Sequence, residues 1–187
     1  MNSSQIGCVI LAAGAGSRFG EPKAGAKLPS GARFVDAVAR AAHNAGISHI
    51  VAVIHPEVDP PPGIRHVVNN QPASEQIVSL RLGLAQLVNT PVRGALVWPV
   101  DYPYVRDETV VTILDNVQND APLIARPTFE NRHGHPVYFA RDVWRDLVTE
   151  QQGGARAVVH RFTADVTDIP VDDPGVLRDV DTRADMS

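Results

Sequence analysis

Apolar residues fall in short runs along this chain, separated by stretches of helical spacing. The first run, Ile-Gly-Cys-Val-Ile-Leu-Ala, covers 6–12. A short continuous apolar run with β-branched members reads as a strand buried on both faces. Further runs lie at 50–54, 95–98, 123–125 and 137–139, with a weaker one at 65–68. Between them, Phe34, Val38, Ala41, Ala42 and Ala45 share one helical face, and Gly46 suits a C-terminal cap. Ile77, Leu80, Leu84 and Leu87 form a second stripe, with Ser74 as its expected N-cap. Val110, Ile113, Leu114 and Val117 form a third, with Asp107 as its expected cap. Val143, Trp144 and Leu147 form a fourth. Strands alternating with amphipathic helices predict an α/β chain of three layers, a mostly parallel sheet with helices on both faces. The sharpest break, Pro60-Pro61-Pro62-Gly63, reads as a loop, so residues 1–187 are expected to form a single domain.

Composition narrows the function. The chain has 187 residues, of which 44% are hydrophobic, enough for a sizeable core. Lys and Arg number 17 against 21 Asp and Glu, a net charge of −4 that disfavours nucleic acid as a partner. No apolar run approaches the roughly 20 residues that cross a bilayer, so no membrane partner is expected. The start of the chain has no basic segment before its apolar run, and Cys8 is the sole cysteine. Both features fit the cytoplasm, and a lone cysteine excludes an intrachain disulfide.

Ligands of such sheets bind outside the carboxyl ends of the strands. The first strand there enters Leu11-Ala12-Ala13-Gly14-Ala15-Gly16-Ser17-Arg18-Phe19-Gly20. Glycines let backbone amides approach an anion, and Arg18 adds a planar, permanently charged fork. The spacing is G-x-G-x-x-x-G rather than the dinucleotide G-x-G-x-x-G, and Gly20 is followed by Glu21 rather than the lysine of a P-loop. Pro22, Gly25, Pro29 and Gly31 defer any regular helix to about Phe34. A long, mobile loop carrying Arg18, Lys23 and Lys27 is therefore expected, able to fold over a triphosphate. The same residues also suit an ordinary glycine-rich turn with solvated cations.

The segment from Leu11 through Gly20 to Lys23 resembles the loop of the MobA-like NTP-transferase family, which includes molybdopterin cytidylyl- and guanylyltransferases. Other stretches resemble that family in the same order: Asp101-Tyr102-Pro103, Val78-Ser79-Leu80-Arg81, Gly134-His135-Pro136, Gly153-Gly154-Ala155-Arg156 and Asp179-Val180-Asp181-Thr182. The resemblance implies a Rossmann-like nucleotidyltransferase fold and transfer of a nucleoside monophosphate from an NTP to a small phosphorylated acceptor. It makes Asp101 and Asp181 the ligands of a catalytic Mg²⁺, with Asp179 an alternate or neighbouring group. Independently, Asp179 and Asp181 at i, i+2 share one side of an extended segment. Carboxylates converging there with Asp101 would repel unless a divalent cation joined them, and Mg²⁺ suits such oxygen donors. A capping role for Asp101 and a solvated acidic face for 179–185 are the simpler alternatives.

In the implied reaction an acceptor phosphate oxygen attacks the α-phosphorus in line and pyrophosphate leaves. A phosphate monoester is largely dianionic at neutral pH, its second pKa being about 6, so no strong base is needed. Positioning and charge neutralisation remain, and they fall to Arg18, Lys23 and Asp101. Leu11, Ala12, Ala13, Gly14, Ala15, Gly16, Ser17 and Ser79 are the expected nucleotide contacts. The methyls of Ala12-Ala13, where guanylyltransferases of the family tend to have glycine, narrow the base slot and favour CTP. His135 and Arg156 are expected to meet the acceptor, with molybdopterin first. A sugar-1-phosphate acceptor, a non-catalytic nucleotide-binding regulator and an oxidoreductase partner domain are the alternatives. A protein partner that receives the product is also expected.

Overall fold

The computed structural model describes residues 5–16, 19–71 and 73–186. The first apolar run forms β1 (Ile6–Ala12), buried along its whole length. It is flanked by parallel β2 (His49–Ile54) and β4 (Gly94–Pro99), and β3 (Arg65–Val68) extends the sheet beyond β2. On the other side β7 (Val137–Ala140) runs antiparallel to both β4 and β5 (Ile124–Phe129). The short β6 (Arg132–His133) pairs antiparallel with the end of β5, and β8 (Val166–Pro170) lies parallel to β5. The sheet order is β3-β2-β1-β4-β7-β5-β6, with β8 paired to β5.

The period-two alternation of these strands feeds two separate cores. Ile10, Leu96 and Trp98 pack on one face under α1 (Phe34–Asn44) and α3 (Asp107–Asp120). Val9, Leu11, Val97 and Phe139 pack on the other under α2 (Gln76–Leu87), α4 (Trp144–Thr149) and α5 (Gly154–Arg161). This is the expected three-layer, mostly parallel architecture. Gly83 lets α2 sit directly on β1, since a Cβ there would stand 2.3 Å from Val9 Cγ1. Among the described residues, no helix is long and apolar enough to cross a membrane.

Some local expectations need correction. Ser74 does not cap α2: the cap position is Glu75, with no side-chain capping bond, and Ser74 Oγ instead accepts from Asn69 Nδ2 at 3.3 Å. Asp107 is the first residue of α3 rather than its cap. The buried carboxylate of Asp173 takes over there, accepting from Arg106 N at 2.9 Å and from Thr109 Oγ1 at 2.7 Å. Burial opposes its ionisation, but these bonds and one from Gly175 N outweigh that and hold its pKa below the ordinary carboxylate value. The segment after Lys23 is not a long open loop. Phe19, Ala24, Ala26 and Leu28 are buried, and the Phe19 ring meets Phe34 edge-on at 5.8 Å. The apolar residues between the prolines supply a local core that spacing alone did not reveal.

Candidate active site

Two cavities open at the carboxyl ends of the strands and meet at Leu11 and Gln76. The smaller, of about 250 Å³, is lined by Leu11, Ala13, Gly14, Gly16, Lys23, Ser79, Asp101 and Asp181, together with Ser74, Gln76 and Val100. Most of the expected nucleotide contacts therefore share one cleft. Ala12 does not line it: strand alternation turns its methyl into the core on the opposite sheet face, while Leu11 and Ala13 face the cleft side. Ala15 is exposed and also outside the lining, leaving only its backbone to serve an anion. Ser17 and Arg18 lie outside the described residues. Lys27 is exposed and away from the cleft.

The glycine loop turns on Gly16, whose φ is +61°. Its carbonyl accepts from Phe19 N at 2.8 Å and Gly20 N at 2.9 Å. A Cβ at this position would lie 1.9 Å from the Glu21 carbonyl oxygen. Only glycine permits this close return, which brings Lys23 back under the loop.

The acidic side of the cleft is built from distant parts of the chain. Asp101 follows β4, and Asp179 and Asp181 belong to the segment after β8. That segment is fixed by Val180, fully buried, whose N–H donates to the Asp101 carbonyl at 2.9 Å. Each of the three aspartates offers one carboxylate oxygen, and these oxygens lie within 4.8 Å of one another. Lys23 Nζ donates to Asp181 Oδ1 at 2.7 Å and lies 3.4 Å from Asp101 Oδ2. Burial raises the Asp101 pKa above the ordinary carboxylate value. Lys23 opposes that shift, and the charges of Asp179 and Asp181 add to it. Burial by itself would lower the Lys23 pKa, but the bond to Asp181 and the neighbouring carboxylates keep it raised. A cluster of hard oxygen donors that repel one another fits a divalent cation.

Ser79 is buried, and its Oγ accepts from Asn69 Nδ2 at 3.0 Å. Asn69 thus ties both Ser74 and Ser79 to the end of β3, a role the sequence reading missed; a buried Asn just after a strand was its only signal. Arg81, by contrast, turns away: its guanidinium donates to the carbonyls of Leu147 and Glu150 and joins α2 to α4.

The larger cavity, of about 800 Å³, brings together the two residues expected to meet an acceptor, His135 and Arg156. It also holds His133. Arg126 and His160 join it there, and the sequence reading connected neither with this site. Its floor is apolar, with Leu80, Val97, Val137, Phe139 and Val159. His135 packs against Tyr102 with ring centroids 4.5 Å apart, so the residue after Asp101 forms part of the boundary toward this cavity. Burial lowers the His135 pKa to about 4, and its Nδ1 is buried without a hydrogen-bond partner among the described residues. Burial, with the charges of Asp179, Asp101 and Asp181, raises Tyr102 to about 12. Both rings are thus neutral at pH 7.

Comparison with known proteins agrees with this geometry. Rv0371c from Mycobacterium tuberculosis H37Rv superposes with a TM-score of 0.84 at 28% identity, covering 99% of this chain and 96% of that one. A manganese complex of the same protein superposes at 0.69 with 22% identity, covering 90% and 88%. A nucleotidyl transferase from Methanothermobacter thermautotrophicus gives 0.77 at 20% identity, covering 97% and 94%. A 4-diphosphocytidyl-2C-methyl-D-erythritol synthase from Anaerococcus prevotii gives 0.72 at 14% identity, covering 98% and 95%. No curated protein sequence matches significantly. The sequence profile of the MobA-like NTP transferase domain spans residues 8–166, from β1 through the first residue of β8. The chain is therefore a nucleotidyltransferase and belongs to the MobA-like NTP transferase family.

Proposed function

We propose that the chain, working as one domain, transfers CMP from CTP to molybdopterin and releases pyrophosphate. The observation that carries this reading is the meeting of two unlike cavities at Leu11 and Gln76. One is small, glycine-lined and charged, as a triphosphate requires. The other is wide with an apolar floor, as the body of a second substrate requires. An acceptor phosphate at their junction is placed to attack the α-phosphorus. A bond forms from that phosphate oxygen to the α-phosphorus, and the bond from the α-phosphorus to the bridging oxygen breaks. The electron pair leaves with pyrophosphate.

The residues that would hold a divalent cation are Asp101 and Asp181, with Asp179 beside them. Bound there, Mg²⁺ would neutralise charge on the phosphates and polarise the α-phosphorus. The manganese complex of the mycobacterial relative supports a divalent ion in this fold. Lys23 stands within the same cleft and neutralises charge that develops on the leaving pyrophosphate. Arg18 serves the same purpose from the glycine loop. Backbone amides between Gly14 and Gly16 position the β- and γ-phosphates.

Ala13 is buried at the cleft wall, and its methyl narrows the space beside Ser79, favouring a pyrimidine. The Anaerococcus relative, a diphosphocytidyl synthase by name, is consistent with cytidine. The apolar floor of the wider cavity favours an acceptor with a flat ring body over a sugar phosphate, whose hydroxyls would lose water against that floor. His135 and Arg156 line that cavity and meet the acceptor. Pyrophosphate release, measured with each of the four NTPs, MgCl₂ and molybdopterin, tests the reading. CTP-dependent release is expected. Release with a sugar 1-phosphate but not with molybdopterin would overturn the acceptor assignment.

A further inference from the structure

The wider cavity contains a polar group that the transfer step does not use. Arg126 on β5, His133 on β6 and Asp168 on β8 converge across three strands. Arg126 Nε donates to Asp168 Oδ1 at 2.6 Å, and its Nη2 lies 2.9 Å from His133 Nε2. His133 Nε2 is 3.4 Å from Asp168 Oδ2. Arg126 and Asp168 are partners in the parallel β5–β8 register, so their side chains leave the same sheet face. Val97 pairs with Val137, and Ala125 pairs with Tyr138. Val97, Val137, Arg126 and Asp168 therefore form one row across the sheet, running from apolar to charged. Arg126 and His133 both line the cavity.

Position and charge together say what this group would recognise. Leu11, at the junction of the two cavities, is on β1; Arg126 is three strands away, about 14 Å across the sheet at ~4.8 Å per strand, and its row meets β1 at Val9, two residues before Leu11. An acceptor whose phosphate stands at the junction presents its opposite end to Arg126. Asp168 already offsets the guanidinium charge, which makes the pair a poor site for a second phosphate. A directed N–H beside an apolar floor suits an uncharged oxygen acceptor instead.

Resting on the reading of this cavity as the acceptor site, we propose that Arg126 selects the acceptor by donating to a carbonyl oxygen at the end remote from its phosphate. Asp168 and His133 position the guanidinium, and the ring body between the two ends lies on Val97, Val137 and Phe139.

Calorimetric titration of two phosphomonoesters of matched shape tests this: 2-naphthylmethyl phosphate and its carbonyl-bearing counterpart, (4-oxo-3H-quinazolin-7-yl)methyl phosphate. Wild-type protein is expected to bind the quinazolinone ester about tenfold or more tightly than the naphthyl ester, the usual scale for a hydrogen bond to a charged donor. Arg126→Met should lose the preference, binding the quinazolinone ester no more tightly than the naphthyl ester, whose affinity should stay at the wild-type value. Arg126→Lys, which keeps charge but loses the planar fork, should recover only part of the preference. Exposed ion pairs stabilise by only about 0–1 kcal/mol, so the thermal midpoint of each variant should stay near that of the wild type. A preference that persists in Arg126→Met, or an equal loss for both esters, would refute the assignment. Failure of the wild type to bind either ester removes the acceptor from this cavity and overturns the reading beneath it.

Discussion

The glycine-lined cleft and the wider cavity adjoin, yet they are built on opposite principles. The cleft is small, and its charged groups are packed close together: Lys23 touches Asp181 and Asp101, and three carboxylates converge. The wider cavity is about three times larger in volume, and its lining mixes Leu80, Val97, Val137 and Phe139 with Arg126, His133, His135 and Arg156. The difference follows from what each must do. Phosphoryl transfer needs preorganised charge at the phosphates. Recognition of an organic body needs desolvated surface plus a few directed hydrogen bonds. Substitutions in the cleft should therefore act on turnover, and those in the cavity on acceptor affinity.

The sharpest test of that division is Asp101→Ala. It removes a carboxylate from the cluster, and turnover should fall by about 10³-fold, roughly 4 kcal/mol. Calorimetric titration of MnCl₂ should show weakened metal binding in the same variant. A fully active Asp101→Ala enzyme would end the metal assignment. Next in size is a pH effect at His135, in the wider cavity. Its folded pKa is lowered from 6.5 to about 4. Below 6.5 the unfolded chain takes up a proton that the folded state does not. Stability is therefore fully present above 6.5 and declines as pH falls toward 4, by as much as about 3 kcal/mol. Urea denaturation of wild type and His135→Gln across this range checks it: the variant should lose that part of the slope.

Lys23→Ala comes third. Loss of one charge-stabilising donor typically costs about 10²-fold or somewhat more in rate, and nucleotide affinity should change much less. Single-turnover kinetics separates the two, and unchanged chemistry would remove Lys23 from the catalytic group. The variant also leaves the carboxylates without their ammonium, so its thermal midpoint should drop without metal and recover with MnCl₂. The smallest effect is expected at Ala13→Gly. Removing the methyl widens the base slot, and the preference for CTP over GTP should relax by about tenfold, the scale of one methyl group in a pocket. Steady-state competition between the two nucleotides measures it.

Elements whose information is local were legible before the fold was known. Buried β1, β2 and β4 carry apolar residues on both faces, so their runs stand out. The edge elements did not. β8 reads Val-Thr-Asp-Ile-Pro and is mostly partly exposed, so no apolar run marks it. α5 has a short apolar stripe in which only Val158 is buried. The cap of α3 was misassigned because proximity in sequence favoured Asp107, whereas Asp173 reaches it from a remote loop.

For the site, the sequence by itself determined the chemistry on offer: a glycine turn after β1, a lysine, and aspartates after β4 and near the chain's end. Strand alternation then decided what the sequence left open, sending Ala12 into one core and Leu11 and Ala13 toward the cleft. Only the tertiary structure brought Lys23 onto Asp181, 158 positions away, and set Arg126 beside Asp168 across a parallel strand pair. The physical reason is one of range. Hydrophobic periodicity and turn chemistry act over a few residues, whereas the convergence of charges depends on which strands pair and on how the final segment is pinned by Val180 and Asp173.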